Sequence, residues 1–229
     1  MTPHAKRQAR SSKGSFNPSI FFRLFQLFQQ ATRLTQRDLD LLAGREGFSP
    51  AVTIGVARRC RFSMPQVLLC APMRRSAPFP TTFWLVCPHL DKRIGAIESQ
   101  NGVDGMEAAL AADPDGRAKW ADWIAYHEAH ARLRLALLSE GRKRYLRRFR
   151  PSLFKALRRG GVGGIAYQAH QAYHRGAFYV KCIHLQAASY LALGRHPAGR
   201  WLDDSIGEWE CERLLCGVNR NKIEEEGSK

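Results

Sequence analysis

Between residues 50 and 88 the chain alternates short β-forming runs with prolines, and no other feature constrains its fold as tightly. Val52, Ile54 and Val56 alternate with smaller residues, while Gln66-Val67-Leu68-Leu69-Cys70 and Thr82-Phe83-Trp84-Leu85-Val86-Cys87 are rich in β-branched, aromatic and other apolar side chains. Pro65, Pro72, Pro80 and Pro88 bound these runs, and a proline has no N–H to give to a ladder. The pattern predicts a small sheet of three short strands.

A sheet of that size needs cover, and the rest of the chain reads as helical. Thr35 is a helix N-cap candidate, with Leu39, Leu41 and Leu42 on the buried side of a helix ending at Gly44. Helices are expected over about 94–100, 105–112 and 118–138, the last with Trp120, Trp123, Ile124, His127 and Ala131 on one face. Pro151 divides 142–159 into two helical pieces, Gly160-Gly161-Val162-Gly163-Gly164 reads as a flexible joint, and helices over 179–193 and 201–216 complete the chain. The expected class is α+β, with a sheet at about residues 50–88 packed against helices from the C-terminal half. The 229 residues suffice for one self-supporting domain, placed at 35–216. Residues 1–34 read as a basic tail plus an amphipathic helix, and 217–229 as a polar tail.

Charge narrows the partners. Lys and Arg number 36 against 20 acids, a net +16 that attracts polyanions. Residues 1–37 carry seven cations without an acid. A second acid-free run holds Arg142, Lys143, Arg144, Arg147, Arg148, Arg150, Lys155, Arg158 and Arg159, interleaved with Tyr145, Phe149 and Phe154. Cations that neutralise phosphates beside aromatics that stack on bases suit RNA or another single strand better than duplex DNA, and these nine residues are the expected nucleic-acid contacts. The aliphatic positions of the same run can pack on the core without conflict.

Five ordered boxes resemble the bacterial domain of unknown function family 501. They are Ala57-Arg58-Arg59-Cys60 through Pro65-Gln66-Val67, Pro78 through Pro88, Ile97-Glu98-Ser99 before Gly102-Val103, His127-Glu128 with Arg134, and Val180-Lys181-Cys182-Ile183-His184. The resemblance spans about residues 38–216 and implies an uncharacterised bacterial cytoplasmic protein; it supplies positions rather than a reaction.

Six cysteines, at 60, 70, 87, 182, 211 and 216, are read as reduced thiols of a cytoplasmic protein, because Arg23 and Gln26 interrupt the only apolar stretch that a signal peptide could use. Cys60, Cys87, Cys182, His184 and Cys211 are candidate ligands for zinc or an iron–sulfur cluster, with Cys216 and His89 as alternates. No CxxC pair supports that set, and buried structural thiols are the competing reading. An alternative is a metal- or thiolate-dependent enzyme centred on Cys182 and His184, with the thiol pKa lowered by a helix N-terminus and Lys181. A third reading is peripheral membrane contact through Phe21, Leu24, Phe25 and Phe28, which share a helical face. His127-Glu128-Ala129-His130 lacks the histidine four residues after the first that a zincin needs, so His127 and His130 read as packing or hydrogen-bonding residues.

Overall fold

Strand β2 (Pro65–Cys70) is buried at every position, as a continuous apolar run covered on both faces must be. It lies between β1 (Thr53–Arg59) and β5 (Phe83–Leu85) in an antiparallel three-stranded sheet, with a short hairpin of β3 (Met73–Arg74) and β4 (Ala77–Pro78) inserted between β2 and β5. The computed structural model describes residues 31–214 and 216, except 46 and 113–115. Phe21, Leu24, Phe25 and Phe28 therefore lie outside the described residues, as do most of the tails.

The two faces of β2 follow the period of a strand. Val67 and Leu69 join Phe83 and Leu85 under helices α2 (Pro88–Glu98) and α8 (Ile183–Leu193). Leu68 and Cys70 point the other way, where Val56 and Val86 meet Leu42 of α1 (Gln36–Ala43). Each such fully buried aliphatic side chain contributes roughly 1.5–3 kcal/mol. The free edge of β1 is closed by Thr32, which exchanges backbone hydrogen bonds of 3.1 and 2.8 Å with Val56. Helix α1 begins in a capping box of Thr35 and Asp38, and Asp38 also receives both Nη atoms of Arg59, at 2.9 and 2.7 Å.

The remaining helices are α3 (Gly102–Ala111), α4 (Gly116–Ala136), α5 (Glu140–Phe149), α6 (Pro151–Arg159), α7 (Ala166–His174) and α9 (Gly199–Ile206). The small sheet packed against C-terminal helices is the α+β arrangement expected from the sequence. Helix α4 runs through the centre of the packing. Trp123, Tyr126, His127, Ala129, His130, Ala131, Leu133 and Arg134 are all buried, so it has no single apolar stripe, and a one-face reading of its periodicity understates it.

Several boundaries differ from the sequence reading for local reasons. Helix α2 starts at Pro88, whose missing N–H costs nothing at a first helical position. Helix α8 starts at Ile183 rather than 179, because the Val180 N–H is taken by Glu107 Oε1 at 2.7 Å and Cys182 is extended. Helix α9 stops at Ile206, where Gly207 takes φ 68°. Helix α7 was not anticipated; its buried face is Ala166, Ala169 and Ala172, too small to stand out as a hydrophobic pattern.

The glycine run at 160–164 is a packed turn rather than a free joint. Gly160 through Gly163 are buried, and Gly161, Gly163 and Gly164 have φ of 57°, 60° and 85°. A Cβ at Gly161 would stand 2.7 Å from His127 Nδ1 and 2.8 Å from Ala166 Cβ. The substitution Gly161→Ala is expected to lower the unfolding free energy by about 3 kcal/mol in urea titrations, combining a left-handed alanine with a steric clash.

Candidate functional site

Helices α5 and α6 are held to the body by few side chains and present the rest outward. Leu146 and Leu157 are buried with Met73 and Leu138, and these anchors fix both helices on the β3–β4 side of the fold. Arg142, Arg144, Arg147, Arg148, Arg150, Lys155, Arg158 and Arg159 are exposed, and Lys143 is half-buried against Glu140, 2.6 Å away. Ser139 caps α5 by accepting from the Arg142 N–H.

Between α5, α6 and the β3–β4 hairpin lies a cleft of about 640 Å³, a volume within the range of ligand sites. Arg75, Arg142 and Arg150 line it with Tyr145, and Leu146 and Leu153 supply apolar surface. Arg142 Nη2 donates to the Arg75 carbonyl at 3.2 Å, which ties helix to hairpin. Tyr145 and Phe149 are 49% and 59% exposed, with ring centroids 5.3 Å apart, so two aromatic rings are partly open to solvent beside the cations. The Arg148 guanidinium lies 5.4 Å from the Phe149 ring centroid and Arg147 lies 5.1 Å from that of Phe154, geometries that pre-order the cations on the rings.

The cysteines and histidines fall into two neighbourhoods. Cys60, Cys87, Cys211 and Cys216 come within electrostatic reach of one another: burial raises the Cys87 and Cys216 thiols first, and neighbouring thiols raise them further. The Cys211 segment is seated there by Arg61 N–H donating to Glu210 and Gln66 Nε2 donating to the Trp209 carbonyl, at 3.0 and 2.9 Å. Cys182 is elsewhere, at the N-cap of α8, beside Glu98. His184 Nδ1 stands 3.1 Å from Glu98 Oε2 and its Nε2 3.4 Å from Asp91 Oδ1, while Glu98 Oε1 accepts the N–H groups of Ile183 and His184. Among the described residues, no three His, Cys, Asp or Glu side chains are placed to share a metal ion. Nor is the Cys182 thiol lowered as a nucleophile requires: burial pushes it up, Glu98 adds to that, and the helix amides and Lys181 do not offset them.

A third arrangement is internal. Trp123, Tyr126, His127, His130 and Arg134 recur along one side of α4, all at most 2% exposed. Their rings form a continuous cluster with His196, whose centroid is 4.9 Å from that of Tyr126 and 5.9 Å from that of Trp123. Hydrogen bonds set two tautomers. The Val162 N–H donates to His127 Nδ1, so in the neutral ring Nε2 carries the proton. The Ala198 N–H donates to His196 Nδ1, whose Nε2–H then donates to Gln186 Oε1 at 2.9 Å. Burial holds His127 down at about 4 and His196 at about 3, with neighbouring histidines adding to the effect, so both are neutral at pH 7.

A family model described as a protein of unknown function, DUF501, matches residues 56–204, more than half of the chain. The chain belongs to the DUF501 family. No curated protein and no solved structure matches it. The match is narrower at both ends than the 38–216 expected, and leaves Asp38, Cys211 and Cys216 outside the DUF501 region.

Inside that region the five boxes acquire structural meaning. Arg59 is the ion-pair partner of Asp38, Glu98 caps the helix that begins with Ile183-His184, and His127 and Arg134 belong to the buried stripe. Two sets of residues escaped the sequence reading. Arg75 lies in a turn far in sequence from the other cations, at φ 54°, and only the fold brings it to the cleft. Gln186 and His196 gave no motif signal at all; a spacing of W-x2-Y-H-x2-H-x3-R over 123–134 was the available clue to the stripe that they complete.

Proposed function

We propose that this protein is a cytoplasmic polyanion-binding accessory protein whose partner is single-stranded RNA, held at the α5–α6 face and the adjoining cleft. The observation that carries the reading is the pairing of an almost unopposed cationic surface with two exposed aromatic rings 5.3 Å apart. Phosphates are neutralised by the arginines, and unstacked bases lie against Tyr145 and Phe149. Duplex DNA offers no free base faces to those rings. The six cysteines are free, which fits a reducing compartment. No helix among the described residues is long and apolar enough to cross a membrane.

Fluorescence anisotropy with a labelled oligouridylate of about 12 nucleotides and a DNA duplex of equal length tests this. Tyr145→Ala with Phe149→Ala is expected to weaken single-strand binding by roughly tenfold to a hundredfold, at about 1–3 kcal/mol per stacked base, and to leave duplex binding nearly unchanged. Equal losses for both ligands would mean that the rings hold the fold rather than the bases.

A further inference from the structure

We infer that the cleft between α5, α6 and the β3–β4 hairpin is a subsite for a phosphomonoester, the phosphorylated end of the strand, and that Arg75 sets this preference; the inference rests on the single-strand reading above and adds which part of the strand the cleft takes. The guanidiniums of Arg75, Arg142 and Arg150 line the cleft, and no carboxylate does. Glu140, the acid nearest to Arg142 in sequence, is engaged with Lys143 at 2.6 Å. Ser76 and Ser139 add hydroxyls to the lining, while Met73, Leu146 and Leu153 form an apolar wall beside Tyr145. A phosphodiester within a strand brings one charge and two free oxygens. A terminal phosphate brings about two charges and three acceptor oxygens at pH 7, which match several guanidinium forks more fully. The nucleoside that carries it has the Tyr145 ring and the apolar wall to lie against.

Arg75 is where the hairpin departs from local preference. It and Ser76 link the paired positions Arg74 and Ala77, and Arg75 takes φ 54°. Glycine, asparagine or aspartate is the usual occupant of such a turn position, because a Cβ in the left-handed region crowds the following carbonyl oxygen. The fold makes no use of the arginine side chain in return. It is exposed, and among the described residues it has neither a hydrogen bond nor an ion pair. What ties the turn to α5 is the Arg75 backbone carbonyl, which accepts from Arg142 Nη2 at 3.2 Å and which any residue would supply. A strained backbone that carries a cation into a cleft, with no structural partner for that cation, points to a ligand as its counterpart.

The experiment measures binding of the full chain to an internally labelled oligouridylate of about 12 nucleotides in three forms, with hydroxyls at both ends, with a 5′-phosphate and with a 3′-phosphate, at constant ionic strength. Calorimetric titrations with free 5′-UMP and with uridine form a separate arm. One phosphorylated strand is expected to bind about tenfold tighter than the hydroxyl-ended one, and UMP tighter than uridine. Arg75→Gly is expected to bring the ratio between strands to about one while melting no lower than the parent, since glycine suits the turn. Gly141→Leu is the second variant: Gly141 lines the cleft, and a Cβ there meets nothing within 4 Å, so the larger side chain fills the cleft without a clash and also removes the ratio. Arg147→Ala, which deletes an equal charge outside the cleft lining, is expected to weaken every strand by the same factor and keep the ratio. If no strand binds but UMP does, and Arg75→Gly abolishes it, the phosphomonoester site stands with a free nucleotide as its source, and the single-strand reading falls. Strands that bind equally well in all three forms, a ratio that persists in Arg75→Gly, or an Arg75→Gly chain that melts below its parent would overturn the subsite and leave the single-strand reading intact. No binding of any strand or of UMP would overturn both.

Discussion

Lowering the pH from 6.5 toward 4 is expected to remove most of the stability of this fold. His127 and His130 are 0% and 1% exposed, and burial lowers both below the ordinary 6.5, His127 to about 4 and His130 well below its normal value. His170 lies near His127, and His127, His196 and Arg134 lie near His130; each of these further opposes a positive ring. The sign follows directly. Above 6.5 the rings are neutral whether folded or unfolded, and the native state loses nothing. Below 6.5 the unfolded chain takes up protons that the folded chain refuses, so stability falls as the pH falls, by about 1.4 kcal/mol per pH unit for each such histidine. Two fully buried rings give about 3 kcal/mol per unit, and His196 adds to it. A domain with roughly 5–15 kcal/mol to lose is then exhausted within a few units. The Asp38–Arg59 pair is not the cause at this stage. Hydrogen bonds from Arg59 hold Asp38 at about 2, so its contribution survives until the pH drops below 3.8. Urea unfolding between pH 7.5 and 4.5 measures the slope. The substitution His130→Phe, which removes a ring with two unpartnered nitrogens from an aromatic setting of Phe83 and Tyr126, should flatten it by about 1.4 kcal/mol per unit. A stability independent of pH over this range would show that these rings are hydrated in the native state.

The second large effect is on RNA. Removing the cations of Arg142, Arg147 and Arg150 together is expected to weaken oligouridylate binding by about a hundredfold at low salt, at roughly 1 kcal/mol for each exposed phosphate contact. The plot of log K against log salt should also become shallower by about 2, since each single-strand phosphate contact contributes about 0.7 to its slope. Stability should barely change, because the three side chains are exposed and the anchors Leu146 and Leu157 are untouched. Loss of affinity with the slope unchanged would point to a rearranged α5–α6 face instead of missing ion contacts.

The sequence was most legible where one local rule decides the outcome. The continuous β-rich apolar runs around Val67–Leu69 and Phe83–Leu85 and the prolines around them specified the sheet, and Pro151 separated α5 from α6. The arginine surface was legible for the same reason, since a run of cations with so few apolar anchors has nowhere to go but outward. Long-range pairing was not legible. Glu98 capping a helix that starts 85 residues later, Glu107 taking the Val180 N–H, and Arg75 meeting Arg142 leave no local trace. The thiols divide in a way that their spacing concealed, because Cys182 is drawn to Glu98 while Cys216 joins Cys60, Cys87 and Cys211. The interior stripe was hidden by its own composition: histidine, tyrosine and tryptophan at helical spacing look like packing until the fold reveals that Trp123 Nε1, His127 Nε2 and both His130 nitrogens are buried without a partner.

Ultraviolet crosslinking of a 4-thiouridine-containing single-stranded RNA to the full chain, followed by peptide mapping, locates the surface that RNA contacts. RNA held at the α5–α6 face predicts adducts concentrated in Glu140–Phe149 and Pro151–Arg159, at Tyr145 and Phe149 above all, and their loss when those rings are replaced by alanine. Adducts confined to other segments, with none on these two helices, would contradict it.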